Sequence, residues 1–189
     1  MIADWLRGFF DDPGTTAGPI YNEHSLQLEL AFAFRRDGFR VEFERPFPVP
    51  RLEGSTLRPK QNLDLLVTHN GDSAAIELKV PLSGQHPETM YAFCADIEFV
   101  EALKRAGIVT HGFCALLTND KVFWEDSGRG SSMHNLFRCT DALLAGVVQR
   151  PTGPRDTMVV LSGSYSLAGL WNAASSRLMS NARFLLVQI

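Results

Sequence analysis

Two carboxylates and an ammonium stand within one short stretch, Gln61–Val80, QNLDLLVTHNGDSAAIELKV. Asp64, Glu77 and Lys79 are set there among Leu, Val, Ile and Ala. Charged groups are rarely placed on otherwise apolar strands unless they are paired or bind a metal ion. The chemistry open to this set is therefore an ion pair or a cation site. A surface pair such as Glu77–Lys79 or Asp64–Lys79 contributes only ~0–1 kcal/mol, so an apolar strand gains little from one.

Spacing decides what the three can do together. Two apolar runs, Leu63–Val67 and Ala74–Val80, flank Asn70-Gly71. Asn-Gly is the strongest short hairpin signal, because both central residues of a type I′ turn need positive φ. A two-residue loop makes His69 face Asp72, which carries Asp64 opposite Glu77 and Asn62 opposite Lys79. Side chains alternate along a strand, and directly opposed residues point the same way. Glu77 and Lys79, two positions apart, are thus expected on one sheet face with Asp64.

The flanking sequence supplies the elements that must hold this hairpin. Asp4–Phe10 reads as a short amphipathic helix stopped by Asp11-Asp12-Pro13-Gly14. Asn22 suits the N-cap of a helix over Glu23–Asp37, with Leu26, Leu30, Ala33 and Phe34 on one stripe and Gly38 at its end. Phe39–Phe43 is a short strand, and Pro46-Phe47-Pro48-Val49-Pro50 cannot continue a sheet interior. After the hairpin, a second helix is expected from about Pro87 to Ala106, with proline in its first turn and Lys104 and Arg105 in its last. Phe113–Leu117 reads as a buried strand. Helix, three strands, helix, strand make an α/β fold with a mixed central sheet flanked by helices. Beyond Asp120, Ser127–Ser132 reads as a flexible loop, Met133–Cys139 and Asp141–Val148 as short helices, and Pro151–Asp156 as a polar turn. Met158–Leu161 and Phe184–Ile189 read as strands. With Tyr165, Trp171 and Phe184, this tail is expected to pack on the same core. The chain 1–189 then forms one domain, its core at about 20–119 and a C-terminal extension over 120–189.

Composition bounds the function. The 189 residues, 45% hydrophobic and 21% charged, suffice for one well-buried domain. No apolar run approaches the ~20 residues of a membrane helix, and the N-terminal pattern is not that of a signal peptide. Cys94, Cys114 and Cys139 form no CxxC pair, which argues against zinc and a disulfide framework and for buried thiols in a cytoplasmic protein. A net charge of −3 gives no support for a general nucleic-acid coat, so any anion-binding surface must be local. The loop Pro46–Gln61 carries Arg51, Arg58 and Lys60 against one acid, Glu53. It is either a grip on phosphates or a solvated, proline-stiffened surface loop. Arg35, Arg36 and Arg40 suit the end of a helix. His24 and His86 read as capping or surface residues. Asp96, Glu98 and Glu101 read as a solvated helix face pairing with Lys104 or Arg105, and Asn119-Asp120 as a turn. With Gly-x-Ser-x-Gly absent, a serine nucleophile is disfavoured.

Asp64, the thirteen-position step to Glu77, and Glu77-Leu78-Lys79 within this element order resemble the signature of the PD-(D/E)XK nuclease superfamily, the restriction-endonuclease-like fold. The resemblance covers the core alone and leaves the extension unexplained. It implies a DNA nuclease in which Asp64 and Glu77 bind Mg²⁺, with Mn²⁺ as a substitute. Lys79 would orient or deprotonate the attacking water, or stabilise charge. Many members add a glutamate from the first core helix. Glu23 and Glu29 are the candidates, and Glu23 is preferred because it lies on the arc of Leu30 and Phe34 that should meet the sheet. DNA is the implied partner, and a homodimer or a larger complex the implied assembly. Leu63 stands where the family motif often has proline. The glutamine-rich second-helix motif of the RecB-like branch is missing, since no glutamine stands a turn before Tyr91. The same scaffold also suits a non-catalytic nucleic-acid- or partner-binding component of a repair, phage or defence system.

Overall fold

Asn70 (φ 51°) and Gly71 (φ 90°) both take left-handed backbone, as a type I′ turn requires. They join the central hairpin of a computed structural model that describes residues 2–58, 60–81, 84, 86–126, 128, 131–152 and 157–189. The helices are α1 (Ile2–Asp11), α2 (Glu23–Arg36), α3 (His86–Arg105) and α4 (Ser132–Arg138). The strands are β1 (Arg40–Pro48), β2 (Lys60–His69), β3 (Asp72–Lys79), β4 (His111–Thr118), β5 (Leu144–Gln149), β6 (Met158–Tyr165), β7 (Trp171–Ala173) and β8 (Arg183–Gln188). The fold is α/β, with a mixed sheet in the order β1-β2-β3-β4-β8-β7 flanked by helices. Among these strands only β3 and β4 pair in parallel. The strands β5 and β6 form a separate antiparallel ribbon.

Alternation along the strands divides the core in two. Val67, Ile76, Phe113 and Phe184 face Leu6, Phe10, Leu26, Leu30 and Phe34 of α1 and α2. Leu66, Cys114, Leu116 and Leu185 face Phe93, Ile97, Val100 and Leu103 of α3. Helix α3 is then covered a second time, on its outer side, by α4 and the β5–β6 ribbon. It approaches β4 so closely that a Cβ on Gly112 would stand 2.4 Å from Val100 Cγ1. Two caps fix α2 where the sequence places it. The Asn22 side chain accepts the Ser25 N–H at 2.8 Å, the Ser25 hydroxyl accepts the Asn22 N–H at 3.1 Å, and Gly38 (φ 87°) ends the helix.

Several expectations change. β1 runs on through Pro46 and Pro48, which it tolerates because it is the outer strand and one side of it needs no donor. Residues 141–148 do not form a helix. Leu144–Gln149 is a strand with a bulge at Ala145/Gly146, and Val147 and Val148 suit a strand better than a helix turn. β6 extends four residues past Leu161. Glu98 and Glu101 are not solvated: they are 1% and 4% exposed, because the ribbon lies over them. Ser127, Arg129 and Gly130 of the expected loop, and 153–156 of the expected turn, lie outside the described residues. Cys94 and Cys114 are buried free thiols, and Cys139 is a partly exposed one. Among the described residues, no helix is long and apolar enough to cross a membrane.

Candidate active site

The β2–β3 ladder runs from His69↔Asp72 to Leu65↔Ile76 and stops one step short of Asp64 and Glu77. On the other side of β2 the pairing with β1 skips the same level, where Glu44 takes φ 46°. The strands part here, and side chains replace the ladder. Asp64 Oδ2 accepts the Leu78 N–H at 2.7 Å, and the Asp64 N–H lies 3.4 Å from Glu77 Oε1. Gln27 Nε2, from α2, donates to the Asp64 carbonyl at 2.7 Å and to Glu44 Oε1 at 3.1 Å. Asp64 and Glu77 are thus neighbours, as their spacing requires. The expected pairing of Asn62 with Lys79 does not form, because β2 has already diverged.

Lys79 ends β3 and meets two helices. Its Nζ stands 2.9 Å from Asp96 Oδ2 of α3 and 3.7 Å from Glu23 Oε2 in the first turn of α2. It also donates to the Leu78 carbonyl at 3.1 Å. The Lys79 and Asp96 side chains are 19% and 14% exposed, while Glu23 keeps 40% of its side chain in solvent. Four elements therefore deliver four carboxylates, Glu23, Asp64, Glu77 and Asp96, around one ammonium.

That imbalance sets the electrostatics. Burial pushes the Asp64 carboxyl up to about 7; the Leu78 N–H and Lys79 oppose this, while Glu23 and Asp96 add to it. Glu77 is raised well above the usual carboxylate range by burial, then by the charges of Asp96 and Asp64. Burial also raises Asp96 and Glu23, with Lys79 pulling both down. For Lys79, burial acts to lower the ammonium, but Asp96, Glu23 and Glu77 together outweigh it and hold the group protonated.

The donor set suits a hard cation. Among the described residues, no three His, Cys, Asp or Glu side chains converge closely enough to hold a metal ion by themselves. A magnesium-type ion needs only one or two protein carboxylates and completes its shell with water and substrate oxygens. The contacts that position Asp64 and Glu77 use Oδ2 and Oε1, and the excess of acid over base calls for added positive charge.

The other sequence candidates lie elsewhere. Glu29 turns toward the loop before α2, where a Cβ on Gly18 would stand 3.1 Å from its Oε1. Arg51 donates to the Leu57 carbonyl at 3.3 Å, within its own loop. Arg58 and Lys60 line a cleft of about 670 Å³ beside α3. Glu23 and Lys79 open into a second cleft of about 360 Å³, and Glu88 and Ala92 line both. Arg35 bonds the Val41 carbonyl and Arg36 pairs with Asp37, consistent with helix-end roles. His86 Nε2 lies 2.7 Å from Asp120 Oδ2, a pair outside the sequence readings of these residues as cap and turn.

Sequence reasoning misses Asp96 and Gln27. Asp96 reads as part of a solvated face, yet Phe93, Asp96, Val100 and Leu103 fall at helical spacing on the stripe that meets the sheet. That spacing is the signal that could have found it. Gln27 carries no charge, and its position beside Leu26 gives no signal. Comparison of this chain with family models, with curated proteins and with solved structures finds no match, so the reading of its function rests on the geometry of this site.

Proposed function

We propose that this chain is a metal-dependent DNA nuclease on a restriction-endonuclease-like core. The observation that carries the reading is the clustering of four acids from four elements at the end of β3: Glu23 and Asp96 pair with the Lys79 ammonium, and Asp64 and Glu77 lie beside it within reach of its charge. The order α2–β1–β2–β3–α3–β4 supports it, since this is the arrangement the resemblance implies.

Asp64 and Glu77 would hold Mg²⁺, or Mn²⁺ in its place; the bound ion supplies an acidified water and charge neutralisation at the phosphate. The rest falls to the chain's own groups. Lys79, kept protonated by its carboxylate neighbours, donates: it orients the attacking water and stabilises charge on the phosphoryl oxygens rather than taking a proton. Asp96 positions that ammonium. Glu23, still partly solvated, accepts a hydrogen bond from water at the mouth of the cleft. Gln27 clamps the Asp64 backbone, so that the carboxylate turns as one unit with β3. DNA is the proposed partner, and a homodimer or a larger assembly would let two such sites act on two strands.

Purified protein with Mg²⁺ or Mn²⁺ is expected to nick or cut DNA. Asp64→Ala and Lys79→Ala should each lower cleavage by about 100-fold or more with the fold intact by circular dichroism. Cleavage unaffected by both changes rejects the reading. A non-catalytic module is the second reading, favoured by the way Lys79 already compensates Asp96 in place of a metal ion. Mn²⁺ binding lost in Glu77→Ala supports the enzyme. DNA binding indifferent to metal and to Glu77→Ala supports the module.

A further inference from the structure

The larger cleft lies next to the acidic cluster and has the opposite charge. Arg58 stands on the strand-entry loop, Lys60 begins β2, and Arg150 follows β5; Glu88 is the one acid among its described lining residues. Three cations against one carboxylate form a local anion-binding surface on a chain whose net charge is −3. Glu88 also orients the cleft. It accepts Arg150 Nε at 2.9 Å and the Thr152 hydroxyl, and the guanidinium fork keeps further N–H groups for an anion.

The walls are fixed to one another. Thr56 N and Oγ1 donate to the Met158 carbonyl at 3.0 and 2.8 Å, and the Met158 N–H returns to Thr56 Oγ1 at 2.8 Å. The C-terminal ribbon thereby forms one side of the cleft and the entry loop of β2 the other. Between them the lining is apolar: Tyr91 and Ala95 from α3, with Met158 and Val159 from β6.

We infer that this cleft holds an unpaired DNA strand and leads it to the acidic cluster. The inference rests on the nuclease reading only for what happens to the strand once it arrives. Cations along a groove track a phosphate backbone, and apolar and aromatic walls receive bases that are out of the stack. A duplex keeps its base faces stacked and presents phosphates, sugars and groove edges instead, so the apolar walls would have no base face to receive. A space of about 670 Å³ suits groups the size of nucleotides. It is small for a double helix whose major groove alone is about 12 Å wide. Glu88 and Ala92 line both clefts, so this one adjoins the cleft that opens at Lys79. The extension beyond residue 120 thereby gains a role, because it supplies Arg150 and the Met158–Val159 wall.

The test is fluorescence anisotropy in EDTA, where nothing is cut, with a labelled single-stranded oligodeoxynucleotide of about 12 residues and its blunt duplex. The single strand is expected to bind at least about 10-fold more tightly. Lys60→Gln and Arg58→Gln should each weaken it and flatten its salt dependence by about 0.7 in the log–log slope. Ala95→Phe, which fills the cleft and leaves every cation in place, should abolish it. Duplex binding equal to or tighter than single-strand binding overturns the inference. So does single-strand binding that survives both Ala95→Phe and Lys60→Gln. Adding Mn²⁺ separates the two claims. Asp64-dependent cutting of duplex alone leaves the nuclease reading standing without this one. Strand binding with no cutting does the reverse.

Discussion

Helix α3 buries carboxylates on two sides, and the two sides treat them differently. On the outer side, Glu101 meets four donors: Oε2 accepts the Ser162 N–H at 2.7 Å and its hydroxyl at 2.9 Å, and Oε1 accepts the Gly163 N–H at 2.6 Å and the Tyr165 hydroxyl at 2.8 Å. On the sheet side, Asp96 shares a single ammonium with Glu23, Asp64 and Glu77. Glu101 and Asp96 are both largely buried, so burial alone does not mark a reactive acid. The supply of donors does. A carboxylate surrounded by donors is a structural clamp, whereas carboxylates that outnumber their cations hold an unmet demand for positive charge, and that demand is what a metal-dependent site offers.

The clamp should be the costliest part to break. Glu101→Ala strands two main-chain N–H groups and a tyrosine hydroxyl under the ribbon, and about 3 kcal/mol of stability should be lost. A urea titration checks this, and a midpoint within error of wild type would remove the clamp from the account. Gly163→Ala attacks the same contact without touching the carboxylate. Its new Cβ would stand 2.5 Å from the Tyr165 hydroxyl and 2.8 Å from Glu101 Oε1, so a smaller loss of about 1–2 kcal/mol is expected.

The sheet-side cluster should respond to added charge instead. Mn²⁺ at about 100 times its dissociation constant should stabilise wild type by about 2.7 kcal/mol, read as a rise in unfolding midpoint. Glu77→Gln should lose that response and, in EDTA, be at least as stable as wild type, because one buried acid in a crowd of acids has been neutralised. Glu101→Ala, tested in the same way, should keep its Mn²⁺ response while starting from a lower midpoint. A response that Glu101→Ala loses and Glu77→Gln keeps would invert the comparison.

Protons probe the same imbalance. Asp64 titrates near 7 in the folded chain against 3.8 unfolded, so the folded state holds its proton longer. The stability this group contributes is full below pH 3.8 and is lost as pH rises through 7. Glu77 and Asp96, also raised, act with the same sign. Asp37, Glu88 and Asp120 are lowered and act oppositely at the acid end, and His134, lowered from 6.5 by burial and the nearby Arg138 charge, acts oppositely below pH 6.5. Between pH 5 and 8 in EDTA, wild type should therefore lose about 2 kcal/mol, and Asp64→Asn should flatten much of that slope. A slope that Asp64→Asn leaves unchanged would show the acids to be well satisfied after all.

The two sides also differ in how far the sequence announces them. The hairpin is legible because Asn70-Gly71 is a local signal, and α2 because Asn22 and Gly38 mark its ends. That is why Glu23, Asp64, Glu77 and Lys79 can be picked out together. Asp96 is hidden by its own type: it sits on the apolar stripe of α3, and weighing it as a charge places it in water. Glu98 and Glu101 cannot be read from α3 at all. Their cover is β6, with Val160 62 residues beyond Glu98 and Ser162 61 beyond Glu101, and no local pattern shows which distant strand will cross a helix. The strand β5 escapes for a local reason, since Leu144–Gln149 has its regular alternation broken by the bulge at Gly146.

The smallest expected effect comes from a lysine that resembles Lys79 in sequence terms only. Lys121 pairs with Glu125 at 3.2 Å, four residues on, and the two side chains are 71% and 55% exposed. Lys79 pairs with Asp96 at a similar distance, 2.9 Å, but with most of both side chains out of water. Solvent screens the first pair and each partner is hydrated without the other, so Lys121→Ala should shift stability by less than about 0.5 kcal/mol and leave cleavage unchanged. Lys79→Met removes the ammonium that the sheet-side acids share, and its cost in EDTA should exceed that of Lys121→Ala at pH 8, where Asp64 is ionised, and shrink at pH 5, where Asp64 is protonated. Parallel urea titrations of the two variants at the two pH values make the measurement. Equal, pH-independent costs would mean that the cluster around Lys79 is an ordinary ion pair, with no excess of acid left for a metal ion to meet.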